Sequence, residues 1–250
     1  MANQLFKNFP EVQYKLSNGK FVTIKDFFRK AKIEGTQLNQ VVDYTFYELQ
    51  EGERPDVVAS KLYGNGDLHW TLFLANDITN YYDWYMDTNT FQEVINKKYP
   101  GQVLVASVST DIVSATSKFL IGEDITQNTT EGKIIKVDPT YNRIWVERTN
   151  GKDFVANQLV NTVRTIDGAV AKSFTPTSVK NGIDATAYYY DPNAGGINSY
   201  RYNNNTTGTY QPRTYYEKEY EENEARRKIK VIRPEFIRRV VSEFERVMSA

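Results

Sequence analysis

The clearest hydrophobic period lies near the C-terminus. Ile237, Val240, Val241, Phe244, Val247 and Met248 recur at helical spacing, while Arg238, Arg239, Glu243, Glu245 and Arg246 take the opposite face. Pro234-Glu235 is expected to open that helix. The period changes to two in VVDYTFYEL, residues 41–49, whose alternation and β-branched and aromatic content predict a strand. GERP then turns the chain, and Pro55 suits the first turn of a helix with Val58 and Leu62 on its core side. Tyr63-Gly64-Asn65-Gly66 cannot continue that helix, because glycine favours the left-handed stop. Asp67 is expected to cap a second helix, LHWTLFLAN, which is apolar nearly all round: Leu68, Leu72 and Ala75 on one side, Trp70, Phe73 and Leu74 on others. Such a helix is buried on several sides, or half in its own domain and half in a partner. Asn76-Asp77 ends it, the aromatic cluster Tyr81, Tyr82, Trp84 and Tyr85 follows, and TFQEVINKKY predicts another helix.

On either side of this module the patterns are shorter. Residues 1–40 read as an extended arm with one helix, in which Thr23 caps IKDFFRKAKI and Ile24, Phe27, Phe28 and Ala31 form an apolar face. A helix that short needs a surface to pack on. Residues 101–180 carry the short β runs KFLIGEDI, GKIIKV, NRIWVER and KDFVANQLV, which predict a small all-β insert resembling a partial barrel. Lys133–Val137 and Arg143–Glu147 around Asp138-Pro139-Thr140-Tyr141-Asn142 predict a hairpin, and Phe119–Ile125 is loosely echoed by Phe154–Val160. Residues 181–214, rich in Asn, Gly, Tyr and Thr, read as a linker or surface loop ordered against a partner through its tyrosines. In residues 215–250 a glutamate-rich helix (Glu217 to Glu224) precedes the basic run Arg226 to Arg233, KIKVI reads as a strand, and the amphipathic helix closes the chain.

Composition narrows the chemistry. The 31 Lys and Arg balance 31 Asp and Glu, so no net field steers the chain to nucleic acid, and the basic residues of 226–233 are matched by adjacent acids. The 18 Tyr, 13 Phe and 3 Trp are the anomaly, and Tyr is favoured where protein meets protein. Without cysteine there is neither disulfide nor thiolate chemistry. A single histidine, His69, removes HExxH and multi-histidine metal sites, and beside Trp70 on an apolar helix it reads as structural. There is no GxSxG, phosphate loop, dinucleotide loop or EF-hand spacing. Glu51 and Glu53 are a carboxylate pair of the kind glycosidases use, but they read more simply as a solvated turn. No apolar run reaches membrane-spanning length and the N-terminus has no signal-peptide core, so a soluble, cytosol-made chain is expected. Catalytic, cofactor and metal sites are all expected to be absent.

Residues 47–78, read as strand, turn, helix, tight loop and helix, have the layout of a small βααβ docking module of the LysM type. Arg54-Pro55, Ala59, Leu62-Tyr63-Gly64-Asn65, Leu68, Trp70, Leu72 and Asn76-Asp77, followed by Tyr81-Tyr82-Asp83-Trp84, resemble the LysM-like core of the baseplate wedge protein 53 family of contractile-tailed bacteriophages. FPEVQY with IKDFFRK is similar to that family's arm and first helix, and YEENEARRKIKVI with the final helix to its closing segment; the β insert and the Tyr/Asn linker have no evident counterpart. Together with the patterns above, this gives an expected α+β fold in five segments: an N-terminal arm and helix (1–40), a LysM-like domain (41–100), an inserted β module (101–180), a linker (181–214) and a C-terminal helical clamp (215–250). The resemblance implies a non-enzymatic virion component of the tail baseplate, assembled in the host cytoplasm. Such a subunit links neighbouring wedges, in multiple copies, through other wedge subunits and the sheath-initiating baseplate protein, with neither nucleic acid nor membrane as partner. Trp70, Phe73, Trp84, Ile237, Val241 and Phe244 are the expected core or interface anchors. A LysM module recognising peptidoglycan is the alternative, and a wall-degrading enzyme using Glu51 or Glu53 a third reading.

Overall fold

The computed structural model describes residues 9–26, 44–107, 119–164, 172–192 and 210–249. The fold is α+β, with helices and several small antiparallel sheets. The chain divides into two compact units, Met1–Thr88 with Asn223–Ala250, and Asn89–Glu222.

The first unit begins with a hairpin, β1 (Glu11–Lys15) and β2 (Phe21–Lys25), with Gln13 opposite Thr23. Thr23 and Ile24 are therefore strand residues rather than the cap and first turn of a helix. Cross-strand pairs won locally: Val12 faces Ile24 and Tyr14 faces Val22, while Gln13 Nε2 donates to Thr23 Oγ1 at 2.9 Å. The remainder of the expected helix, from Phe27 on, lies outside the described residues.

The core of this unit is a strand, two helices and a strand: β3 (Tyr44–Glu48), α1 (Pro55–Tyr63), α2 (His69–Ala75) and β13 (Lys228–Ile232). Pro55 stands in the first turn of α1, and Gly64, at φ 70°, ends it in the left-handed conformation. Asn65, not Asp67, supplies the next cap: its Oδ1 accepts from Asp67 N at 3.0 Å and starts a 3-10 turn, Gly66–Leu68, that runs into α2. Asp67 is already inside that turn, where its side chain has no free amide to cap. The strand that pairs with β3 is β13, antiparallel, with Ile229 opposite Tyr47 and Val231 opposite Thr45. Leu49, Val58, Ala59, Leu72, Trp84, Ile229 and Val231 form the core between sheet and helices. The last helix, α5 (Ile237–Ser249), starts later than Pro234-Glu235, which lie in the preceding turn.

The second unit is mainly β. Its sheet runs β10-β4-β7-β6-β5-β8-β9, all antiparallel, from β4 (Gln102–Ala106), β5 (Asp124–Gln127), β6 (Thr130–Asp138), β7 (Arg143–Arg148), β8 (Val160–Arg164), β9 (Ser173–Phe174) and β10 (Pro176–Asn181). The two ends of that order, β9 and β10, are one stretch of chain interrupted at Thr175, pairing β8 on one side and β4 on the other. The sheet thus closes on itself as a small barrel, which removes its edges. Register shifts at Ile135, Val163 and Thr177 supply the local bends that closure needs. Leu104, Ile125, Ile134, Ile144, Val146, Val160 and Phe174 fill the interior, joined by Phe119 and Phe154. The β6–β7 hairpin matches the sequence expectation, with Lys133 opposite Glu147. FLIGEDI and KDFVANQLV are strand only at their ends: Phe119 and Phe154 enter the core from the turns that precede β5 and β8.

Gly101, at φ 73°, sits where a Cβ would stand 2.1 Å from Val146 O, so this approach of β4 to β7 requires glycine. The segment 181–214 is not without strand: β11 (Thr186–Tyr190) pairs with β12 (Gln211–Thr214). Tyr189 packs within the unit, stacking on Tyr141 at 6.3 Å. Helices α3 (Thr88–Lys98) and α4 (Tyr215–Ala225) complete the unit, with Phe91 edge-on to Tyr216 and Tyr220 at 5.8 and 6.2 Å.

Candidate protein-protein interface

Glu53 is the polar centre of the first unit. Its buried carboxylate accepts from Tyr47 OH at 3.0 Å, Gln50 N at 3.0 Å and Lys61 Nζ, while its backbone oxygen accepts from Trp84 Nε1 at 2.9 Å. Burial pushes its pKa up, but the Gln50, Lys61 and Tyr47 hydrogen bonds outweigh that and hold it below the usual carboxylate range. Glu51 accepts from Thr88 N at 3.1 Å and Thr88 Oγ1 at 2.6 Å, at the start of α3. Both carboxylates of the candidate acid/base pair are thus committed to holding the turn. His69 Nδ1 lies 3.0 Å from Gly66 O, and its ring meets Phe73 edge-on at 6.0 Å. Among the described residues, no group of three or more His, Cys, Asp or Glu could hold a metal ion. No helix among them is long and apolar enough to cross a membrane.

Two asparagines bind backbone through both ends of their amides. Asn76 Nδ2 donates to Leu72 O at 2.7 Å and Lys230 O at 2.8 Å, and its Oδ1 accepts from Lys230 N at 2.8 Å. Asn223, buried, accepts from Met86 N and donates to Met86 O, each at 2.9 Å. Each amide mimics a neighbouring strand: Asn76 ties β13 to the end of α2, and Asn223 ties the C-terminal segment to the extended chain at Met86. Tyr63 OH adds a bond to Ile232 O at 2.9 Å, and burial pushes that hydroxyl up to about 12.

The structure places the six expected anchors together in this unit, mostly facing inward. Trp70 and Trp84 are 6% and 4% exposed, and Ile237 is also buried; Phe73, Val241 and Phe244 are half-buried. Phe244 of α5 packs on Trp70 with ring centroids 4.4 Å apart, and Phe73 meets Trp84 edge-on at 5.6 Å. Among the described residues, the large apolar side chains of this unit left exposed are others: Tyr14, Leu16, Phe21, Phe46, Val57, Tyr81 and Tyr82. Tyr81 and Tyr82 are over 60% exposed, on a 3-10 turn capped by Asn80, with Arg226 donating to Tyr82 O at 3.2 Å. The sequence marks these tyrosines as an aromatic cluster, whereas the anchors expected from it are Trp70, Phe73, Trp84, Ile237, Val241 and Phe244. The alternation of β3, which turns Tyr47 inward and Phe46 outward, was the available signal for Phe46.

The first unit is thus a strand–helix–helix–strand core with Glu51 and Glu53 tied into structure and aromatic side chains displayed at its surface. Residues 4–107, under half of the chain, match the family model described as base plate wedge protein 53, and over that stretch the chain is similar to this family. That family's place is the virion, at the tail base plate. No curated protein matches the chain.

Proposed function

We propose that this chain is a wedge subunit that links neighbouring wedges of a contractile tail base plate by protein contacts, without catalysis. The supporting observation is the exposed aromatic set, Phe46, Tyr81 and Tyr82, displayed within the family-matched residues on a core that is complete in itself. In this reading the core is LysM-like and serves docking. The six buried or half-buried anchors, Trp70, Phe73, Trp84, Ile237, Val241 and Phe244, hold the contact surface in shape. Other wedge subunits and the sheath-initiating base plate protein are its partners. Size-exclusion chromatography with light scattering, on the chain alone and mixed with the tail proteins encoded beside it, tests this. Entry into a larger complex with wedge subunits is expected. A chain that ignores tail proteins and pellets with cell-wall sacculi would replace this reading with peptidoglycan binding.

A further inference from the structure

Among the described residues, the β3–β13 sheet of the first unit has one covered edge and one open edge. In an antiparallel pair, opposed residues alternate between those bonded to each other and those whose backbone groups point outward. Leu49 N donates to Arg227 O at 2.9 Å, which continues the ladder inward at that pair. The alternation puts Phe46 and Lys230, opposite each other, in an outward-pointing pair. On the β13 side the Asn76 amide takes both Lys230 N and Lys230 O. On the β3 side, among the described residues, nothing takes Phe46 N or O. The Phe46 ring is 53% exposed beside that edge. Lys228 Nζ lies 4.7 Å from its centroid and Lys230 Nζ 5.5 Å from that of Tyr44, so both ammonium groups lean toward the open edge. Neither lysine has an ion-pair partner among the described residues, whereas Glu48, on the same face, faces Arg227 at 3.5 Å.

We infer that the β3 edge accepts an extended segment of another protein, carrying carboxylates at alternate positions, as an added strand. Backbone pairing at Phe46 supplies the ladder, and alternate acids on the aromatic face meet Lys228 and Lys230, which an exposed edge with unpaired cations selects. This rests on the reading of the chain as a contact-making subunit and names the chemistry of one partner.

The test uses the full chain with two capped peptides, Thr-Glu-Val-Glu-Val-Glu-Thr and its glutamine counterpart Thr-Gln-Val-Gln-Val-Gln-Thr. Amide exchange at Phe46 and a binding isotherm are the readouts. The acidic peptide is expected to bind and to slow Phe46 exchange by about tenfold or more. Replacing each lysine, Lys228→Gln or Lys230→Gln, is expected to weaken binding by up to about fivefold, the scale of a surface ion pair. Phe46→Pro removes the outward donor while sparing the β3–β13 ladder, so the variant is expected to fold and to lose binding. No protection at Phe46, equal binding of both peptides, or binding that survives Phe46→Pro overturns the inference. Self-association of the peptide-free chain that Phe46→Pro abolishes also overturns it, in favour of pairing between copies. If Phe46→Pro still enters complexes with the tail proteins, the edge fails while the contact function stands. If the unsubstituted chain does not enter them, the function itself fails.

Discussion

At the scale of single residues, the polar groups that matter are those satisfied more than once. Asn76 closes three backbone hydrogen bonds. Asn76→Leu keeps the volume and leaves Lys230 N and O and Leu72 O without it, so chemical denaturation is expected to show a loss of roughly 1–3 kcal/mol. Glu53 behaves similarly, and its depressed pKa carries a sign. A carboxylate that titrates lower in the folded state than its unfolded value of about 4.3 binds fewer protons folded than unfolded between those values. Its contribution is therefore complete above the unfolded value and disappears as pH falls through the folded one. Glu219, held low by Lys98 and Tyr99 against the upward push of burial, adds to the same window. The melting temperature of the wild type is expected to fall steeply below about pH 4.3, and Glu53→Gln to flatten that fall. Gly101→Ala must move Val146 O by more than a side-chain adjustment, and thermal melts are expected to show a large destabilisation of the β unit.

Elements show where local signals suffice and where they fail. KIKVI is a strand on its own evidence, and so is Tyr44–Glu48, yet the two pair across an intervening unit of the chain. Nothing local encodes that pairing; it sets half-buried Tyr47 opposite buried Ile229, both packed in the core of the unit. Val231→Asp places a charge in a fully buried site, and hydrogen exchange is expected to show protection lost in α1, α2 and β3 while the barrel strands stay protected. For the closing helix, Phe244→Ala removes the ring packed on Trp70. Because Phe244 is half-buried, the expected cost lies at or below the roughly 3 kcal/mol lower end for a core phenylalanine, read from urea melts.

For the molecule as a whole, the family-matched residues end at 107, yet the strand that completes their sheet comes from 228–232. The C-terminal segment is thus part of the same folded unit, and the barrel is carried within it along the chain. At this scale the contact function should separate from stability. Tyr81→Ser with Tyr82→Ser alters two exposed rings, so the melting temperature is expected to hold while co-elution with wedge subunits weakens. A double variant that co-elutes unchanged would move the contact surface elsewhere.

Periodicity and turn chemistry alone determined α1 with Pro55 and Gly64, the β6–β7 hairpin, the β13 strand and the amphipathic face of α5, because each is encoded within a few residues. Local chemistry also misled where two local solutions compete: Thr23 can cap a helix or pair in a hairpin, and its pairing with Gln13 decided. The alternation of β3 marks Phe46 as outward, but how far each aromatic is buried was beyond the sequence. Trp70 and Phe46 are both large rings in apolar runs, and one is buried under Phe244 while the other faces outward from a strand. Closure of the barrel at Thr175, the pairing of β3 with β13 and the open edge at Phe46 were decided by tertiary structure. Each depends on contacts between residues far apart in the chain, whose energies no local pattern records.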